Sequence, residues 1–118
     1  MKNSPLIILL GEPNSIFSEI LFKTYKSNSI KKIKKPIVVI GSIKLLRSQM
    51  KLLKYFIEIK KIELSDIKNI KFNRKKIYII NVDYKYKKAF SKIDSSSNSY
   101  IENCFRTSLK VIKKKKNI

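Results

Sequence analysis

The residues best suited to chemistry stand together near the start of the chain, where the apolar run Leu6 to Leu10 opens into Gly11-Glu12-Pro13-Asn14-Ser15-Ile16-Phe17-Ser18-Glu19. Gly11 supplies permissive backbone at a strand end, Pro13 stiffens the turn, and Glu12 projects a carboxylate into the crevice above a sheet. A strand that leads through such a turn into a helix N-terminus sets backbone donors and an acid at the carboxyl edge, where open α/β sheets bind ligands. A plain strand-to-helix turn accounts for the same residues without any ligand, so the segment alone is a weak signal.

Other chemistries are excluded by what is missing. The chain has no His, which removes the commonest transition-metal ligand and general base. Cys104 is the only cysteine, so neither an intrachain disulfide nor a cysteine-built zinc site can form. With Ile101 and Phe105 nearby it reads as a buried helix residue. Gly11 and Gly41 are the only glycines, too few for a G-x-G-x-x-G dinucleotide turn or a P-loop.

The formal net charge of +20 raises the question of an anionic partner, since clustered cations supply the sequence-independent part of phosphate binding. Of the 28 basic residues, however, only Arg47, Arg74 and Arg106 are arginines, and Arg is the residue that grips bases and phosphates bidentately. Lys and Ile dominate, with Asn and Tyr frequent and Gly, Pro and Ala scarce. These preferences follow A/T-rich codons, so gene base composition explains the lysines, and nucleic acid is not expected as a partner. The longest apolar run, Leu6 to Leu10, is far short of the roughly 18 to 20 residues that span a bilayer and shorter than the core of a secretory signal. No membrane association is expected, and the cytoplasm is the expected compartment.

The elements that must position the turn follow from periodicity. A length of 118 residues, 43% of them hydrophobic, suits one small globular domain. Leu6 to Leu10 reads as a strand buried on both faces. Ile16, Phe17, Ile20 and Leu21 then recur at helical spacing with Asn14 or Ser15 as N-cap. Ile37 to Ile40 is a second buried strand ending at Gly41, and Ser42 caps a helix whose apolar face is Ile43, Leu46, Met50 and Leu53. Tyr55 to Ile59 is the third strand candidate. Lys60 to Lys76 reads as an irregular connection with one helical turn around Leu64 to Ile67. Ile77 to Val82 is the fourth strand, ending at Asn81 and Asp83. Ser99 to Glu102 fits a capping box, opening a last helix with Ile101, Phe105, Leu109 and Ile112 as its buried stripe. This alternation predicts a parallel sheet with helices on both faces. The chain nevertheless ends on a helix, where a doubly wound sheet normally delivers another parallel strand.

The run Leu6-Ile7-Ile8-Leu9-Leu10-Gly11-Glu12-Pro13, with Ile16 and Glu19, resembles the opening of the 4-hydroxythreonine-4-phosphate dehydrogenase family of vitamin B6 (pyridoxine) biosynthesis, which reads strand then G-[D/E]-P-A-G-I-G-P-E. Gly11, Glu12, Pro13, Ile16 and Glu19 match; Asn14, Ser15, Phe17 and Ser18 replace Ala, Gly, Gly and Pro. Pro36 to Gly41 with Leu45, Leu46 and Leu53 is similar to the family's second strand and following helix, and Ser99 to Ile112 stands in the place of the helix before its central strand. The resemblance implies an α/β fold: a partial doubly wound sheet like the N-terminal part of an isocitrate- or isopropylmalate-dehydrogenase-like enzyme. It implies an oxidoreductase that uses NAD and a divalent metal to oxidise and decarboxylate a phosphorylated hydroxy-amino acid, 4-phosphohydroxy-L-threonine, as a homodimer. By position in the motif, Glu12 and Asn14 are the candidates for the cofactor or active-site cleft. The family's metal-binding histidines and its substrate-holding lysine, asparagine and arginine come after the point where this sequence ends, so no catalytic or metal residue is carried over.

Residues 1–118 are accordingly expected to form a single incomplete α/β domain, about the first third of such an enzyme, inactive alone and without firm hold on NAD or metal. Lys113 to Lys116 and Asn117 imply a long adenine tract, and a one-base slip there would make Asn117-Ile118 an out-of-frame tail. The competing expectations are a small Lys-rich nucleic-acid-binding module and an inert remnant.

Overall fold

A computed structural model of the chain describes residues 5–11, 13, 16–85 and 97–116, the side chains of 114–116 excepted. Four strands, β1 (Leu6–Leu9), β2 (Ile37–Gly41), β3 (Glu58–Lys61) and β4 (Lys76–Asn81), form one sheet. Its order is β1-β2-β4-β3 and every pairing is parallel. Three helices accompany it: α1 (Phe17–Lys26), α2 (Ile43–Leu52) and α3 (Asn98–Lys116). The expected layered α/β architecture is therefore present.

β2 and β4 are the apolar centre of the sheet. Ile37 to Gly41 is buried throughout, as is Ile77 to Ile80, which is what a strand covered on both faces requires of its side chains. Alternation divides their residues between two cores. Ile37, Val39, Ile77 and Ile79 pack with Phe22, Leu46 and Met50 under α1 and α2. Val38, Ile40, Tyr78 and Ile80 pack on the opposite face with Tyr100, Cys104 and Val111 of α3 and with Ile62. The second core also takes in Leu64, Ile67, Ile70 and Phe72, so the stretch from Lys60 to Lys76, irregular apart from a 3₁₀ turn at Leu64–Asp66, covers the face that a regular helix covers elsewhere.

Three expectations shift. β1 is not buried on both faces: Leu6 is exposed and Ile7, Ile8 and Leu9 are half-buried, because β1 is an edge with a neighbour on one side only. The third strand begins three residues later than Tyr55, and it is also an edge. In the helices, the apolar stripes visible in the sequence are not the buried ones. α1 buries Ser18, Leu21, Phe22 and Tyr25 while Ile16 and Ile20 are exposed. α3 buries Tyr100, Cys104, Ser108 and Val111, whereas Phe105, Leu109 and Ile112 are exposed. Ser99 lies inside α3 rather than at its cap, which removes the capping box, and the residue before α1 is Ile16 with no side-chain cap; Asn14 and Ser15 lie outside the described residues.

α2 follows its sequence reading closely. Ser42 adopts an extended backbone and its Oγ accepts from Leu45 N–H at 3.2 Å, satisfying one of the helix's orphan donors. The helix ends in a Schellman arrangement, with Tyr55 N–H donating to Met50 O at 3.0 Å and Lys54 N–H to Lys51 O at 3.2 Å. Lys54 takes the left-handed position, φ 61°, usually given to glycine.

Candidate functional site

The carboxyl ends of β1, β2 and β4 converge on the turns that carry the polar residues. Leaving β1, Leu10 is still held to the sheet by its N–H to Ile40 O at 3.0 Å, and Gly11 then turns the chain with φ 63°, a conformation that costs an L side chain about 1 kcal/mol or more. Pro13 is buried, and its carbonyl accepts from Gln49 Nε2 at 2.7 Å. The turn after β1 is thus pinned to the buried side of α2 by a polar residue standing among Leu46, Met50 and Leu45. A glutamine in the apolar repeat of a helix was the sequence signal for this contact, and periodicity alone passes over it.

The N-terminus of α2 faces the same edge, and its donors are taken by side chains. Ser42 N–H donates to the Tyr100 hydroxyl at 2.9 Å, Ile43 N–H to Asn81 Oδ1 at 3.0 Å and Leu45 N–H to Ser42 Oγ. Asn81 Nδ2 in turn donates to Asp83 Oδ1 at 3.0 Å. Asn81 and Asp83, noted in the sequence as the end of the fourth strand, therefore serve as a brace between β4 and α2. Gly41 is required by the close approach of α3: a Cβ there would stand 2.9 Å from the Tyr100 oxygen and closer still to the Leu10 side chain.

Tyr100 links the layers. Its ring stacks on Tyr84 with centroids 4.5 Å apart, and its hydroxyl also shares a hydrogen bond with the Cys104 thiol. Burial drives the phenol well above its ordinary range, assisted by the neighbouring thiol. Burial likewise pushes Cys104 up to about 11, so at neutral pH it is a thiol, a packing group rather than a nucleophile. That agrees with its reading as a buried helix residue.

Leu10, Pro13, Ser18, Leu45, Gln49 and Tyr100 enclose a cavity with room for about one water molecule. Ser18 Oγ, buried in the first turn of α1, finds no hydrogen-bond partner among the described residues. Glu12 and Asn14, the predicted cleft residues, lie outside the described residues; their flanks Gly11 and Pro13 place the turn at the carboxyl edge. Among the described residues no three His, Cys, Asp or Glu gather into a metal-binding group, and a cavity of this size is no dinucleotide pocket. A divalent ion and NAD do not fit the described residues by themselves; these residues can form one wall of a cleft. No helix of the described residues is long and apolar enough to cross a membrane.

An all-parallel sheet flanked by helices, with its turns gathered at the carboxyl edge, defines the class: the ligand-binding part of an α/β enzyme. Solved structures make it specific. The chain is similar in fold to the 4-hydroxythreonine-4-phosphate dehydrogenase from Burkholderia phymatum, with a TM-score of 0.77 and 14% identity over 97% of this chain and 34% of that one. It is similar also to the enzyme of the same description from Klebsiella pneumoniae, with a TM-score of 0.71 and 19% identity over 89% of this chain and 31% of that one. The dehydrogenase fold implied by the Gly11-Glu12-Pro13 resemblance is thus the fold observed, and the chain spans about a third of the length of these enzymes. No family model matches the sequence, and no curated protein matches it.

Proposed function

We propose that this chain is the N-terminal portion of a cytoplasmic, homodimeric dehydrogenase that oxidises and decarboxylates 4-phosphohydroxy-L-threonine, with NAD as hydride acceptor and a divalent metal, in the biosynthesis of pyridoxal phosphate. The observation that carries the reading is the coincidence of two independent likenesses: the Gly11-Glu12-Pro13 signature at the end of β1, and a fold match that covers nearly the whole of this chain and a third of the enzymes.

In this reading the chain contributes position rather than reacting groups. The Gln49 amide holds the Pro13 carbonyl and so fixes the turn on which Glu12 stands. Tyr100 and Asn81 hold the start of α2 against the sheet, so the edge is set before any ligand arrives, and little ordering entropy is then spent on binding. When bound, the metal would polarise the substrate's hydroxyl and the ketone formed from it, and NAD would accept the hydride. The groups that hold metal and substrate are expected from polypeptide beyond this chain.

The purified chain, supplied with NAD, a divalent metal and the phosphorylated substrate, is expected to produce no NADH. Turnover above the protein-free blank, removed by Glu12→Gln, would overturn the reading that the chain is only part of the enzyme.

A further inference from the structure

The two edges of the sheet are built differently. β3 carries Glu58, Lys60 and Lys61 exposed to solvent, and Glu58 pairs with Lys76 at 2.9 Å. Charges of this kind on an edge oppose pairing with another strand. β1, Leu6-Ile7-Ile8-Leu9, has none. Leu6 and Leu10 N–H donate to Pro36 O and Ile40 O at 2.7 and 3.0 Å, so with a strand period of two the N–H and C=O of Ile7 and Leu9 point away from β2. β1 combines unpaired backbone with apolar side chains, the composition of an interior strand at an exterior position.

The helices extend this surface. α1 and α3 lie on opposite faces of the sheet, as the two cores show, and α3 rests on β1 and β2. Both descend from the carboxyl edge in right-handed crossovers. At 100° per residue, Phe105, Leu109 and Ile112 stand about a quarter turn from the buried stripe of α3, in the direction of the β1 edge. The same construction turns Phe17 and Ile20 of α1 toward that edge from the other face. Phe105 is 56% exposed and Leu109 50%. Three layers therefore present apolar residues to one side of the molecule, and α3 carries the chain back toward that side, away from β4.

We propose that the open edge of β1, flanked by α1 and α3, seats a further parallel β-strand, apolar on both faces, carried by polypeptide that supplies the rest of the dehydrogenase fold. The occupant follows from the lengths: the chain covers 34% of the Burkholderia phymatum enzyme, and the direction of α3 brings the fold's continuation to this edge. The proposal rests on the reading of the chain as part of a larger enzyme and is independent of its substrate.

The test uses the chain alone and a chimera in which the part of the Burkholderia phymatum enzyme outside the match follows residue 118. In the isolated chain, Ile7 and Leu9 amides should exchange far faster than those of Val39 and Ile79, with a monomer in sedimentation. In the chimera their exchange should slow by at least about tenfold, and Phe105→Lys with Leu109→Lys should abolish the slowing. A chimera with protected β2 amides and unprotected Ile7 and Leu9 would overturn the proposal. So would a stable dimer of the isolated chain that Leu9→Pro dissociates, since the occupant would then be a second copy. Should the chimera not fold, the double lysine variant of the isolated chain decides: an unchanged melting temperature with reduced binding of a hydrophobic dye supports a docking face, and unfolding shows that the stripe belongs to the chain's own core. NADH production is not read, so a protected edge in an inactive chimera would leave the docking surface standing while counting against the enzymatic reading.

Discussion

Replacing Tyr100 by Phe removes one oxygen and leaves the ring stacked on Tyr84. That oxygen accepts the buried Ser42 N–H at 2.9 Å across 58 residues of sequence and is bonded to the Cys104 thiol. Deleting it strands a buried backbone donor at the first turn of α2, where Ser42 is 2% exposed and water has no ready access. An unsatisfied buried donor costs about 1–3 kcal/mol, and we take about 2. For 118 residues the unfolding entropy near the midpoint is about 0.25 kcal/mol/K, so the melting temperature should fall by about 8 °C. With a urea m-value of about 1.5 kcal/mol/M, the midpoint should fall by about 1.3 M at unchanged m. Urea titration followed by circular dichroism, with a thermal scan of the same samples, measures both. The Ser42 amide, slow to exchange in the parent chain, should become one of the faster amides of α2. A midpoint within 0.2 M of the parent, with the Ser42 amide still protected, would refute the account of Tyr100 as the acceptor that ties α3 to α2 (about 0.3 kcal/mol at that m-value).

Two further predictions rest on local chemistry. Lys54→Gly relieves a left-handed residue at the end of α2; against the chain entropy that glycine adds to the unfolded state, a gain of about 0.5–1 kcal/mol is expected. A thermal scan should show a higher midpoint, and a lowered one would mean that the Lys54 backbone is not held as described. Alkaline pH should weaken the fold. Burial raises Cys104 from 9.0 to about 11 and Tyr25 from 10.0 to about 12, the latter assisted by Tyr78. Groups with raised folded pKa leave the native state holding more protons than the unfolded one, so their contribution is complete below pH 9 and is lost as pH rises toward 11 and 12. Urea midpoints between pH 7 and 11 should be level to about pH 9 and then decline; a level profile through pH 11 would contradict the burial of Cys104.

Local patterning made much of the sheet and one helix legible. Ile37 to Ile40 is apolar at every position because it is covered on both faces, and Ser42 caps α2 by a bond within its own turn. The repeat of Ile43, Leu46 and Met50 reports the buried face of α2 correctly because that helix is packed on one side only. The same method failed for α1 and α3. There the conspicuous repeats, Ile16, Phe17 and Ile20 in one and Phe105, Leu109 and Ile112 in the other, are the exposed faces. A period of 3.6 shows that a stripe is apolar and carries no information on which neighbour covers it.

The sequence by itself determined that the chain is a small α/β unit, that imidazole and glycine-rich phosphate chemistry are closed to it, and that its chemical interest lies at Gly11-Glu12-Pro13. Only the tertiary structure decided which strands are edges, that Gln49, Tyr100 and Asn81 brace the carboxyl edge, and that the β1 side is apolar in three layers. The physical reason is range. Strands, turns and caps are set by contacts within a few residues, whereas Gln49 reaches Pro13 across 36 positions and Tyr100 reaches Ser42 across 58, and pairings of that separation exist only once the sheet has ordered its strands.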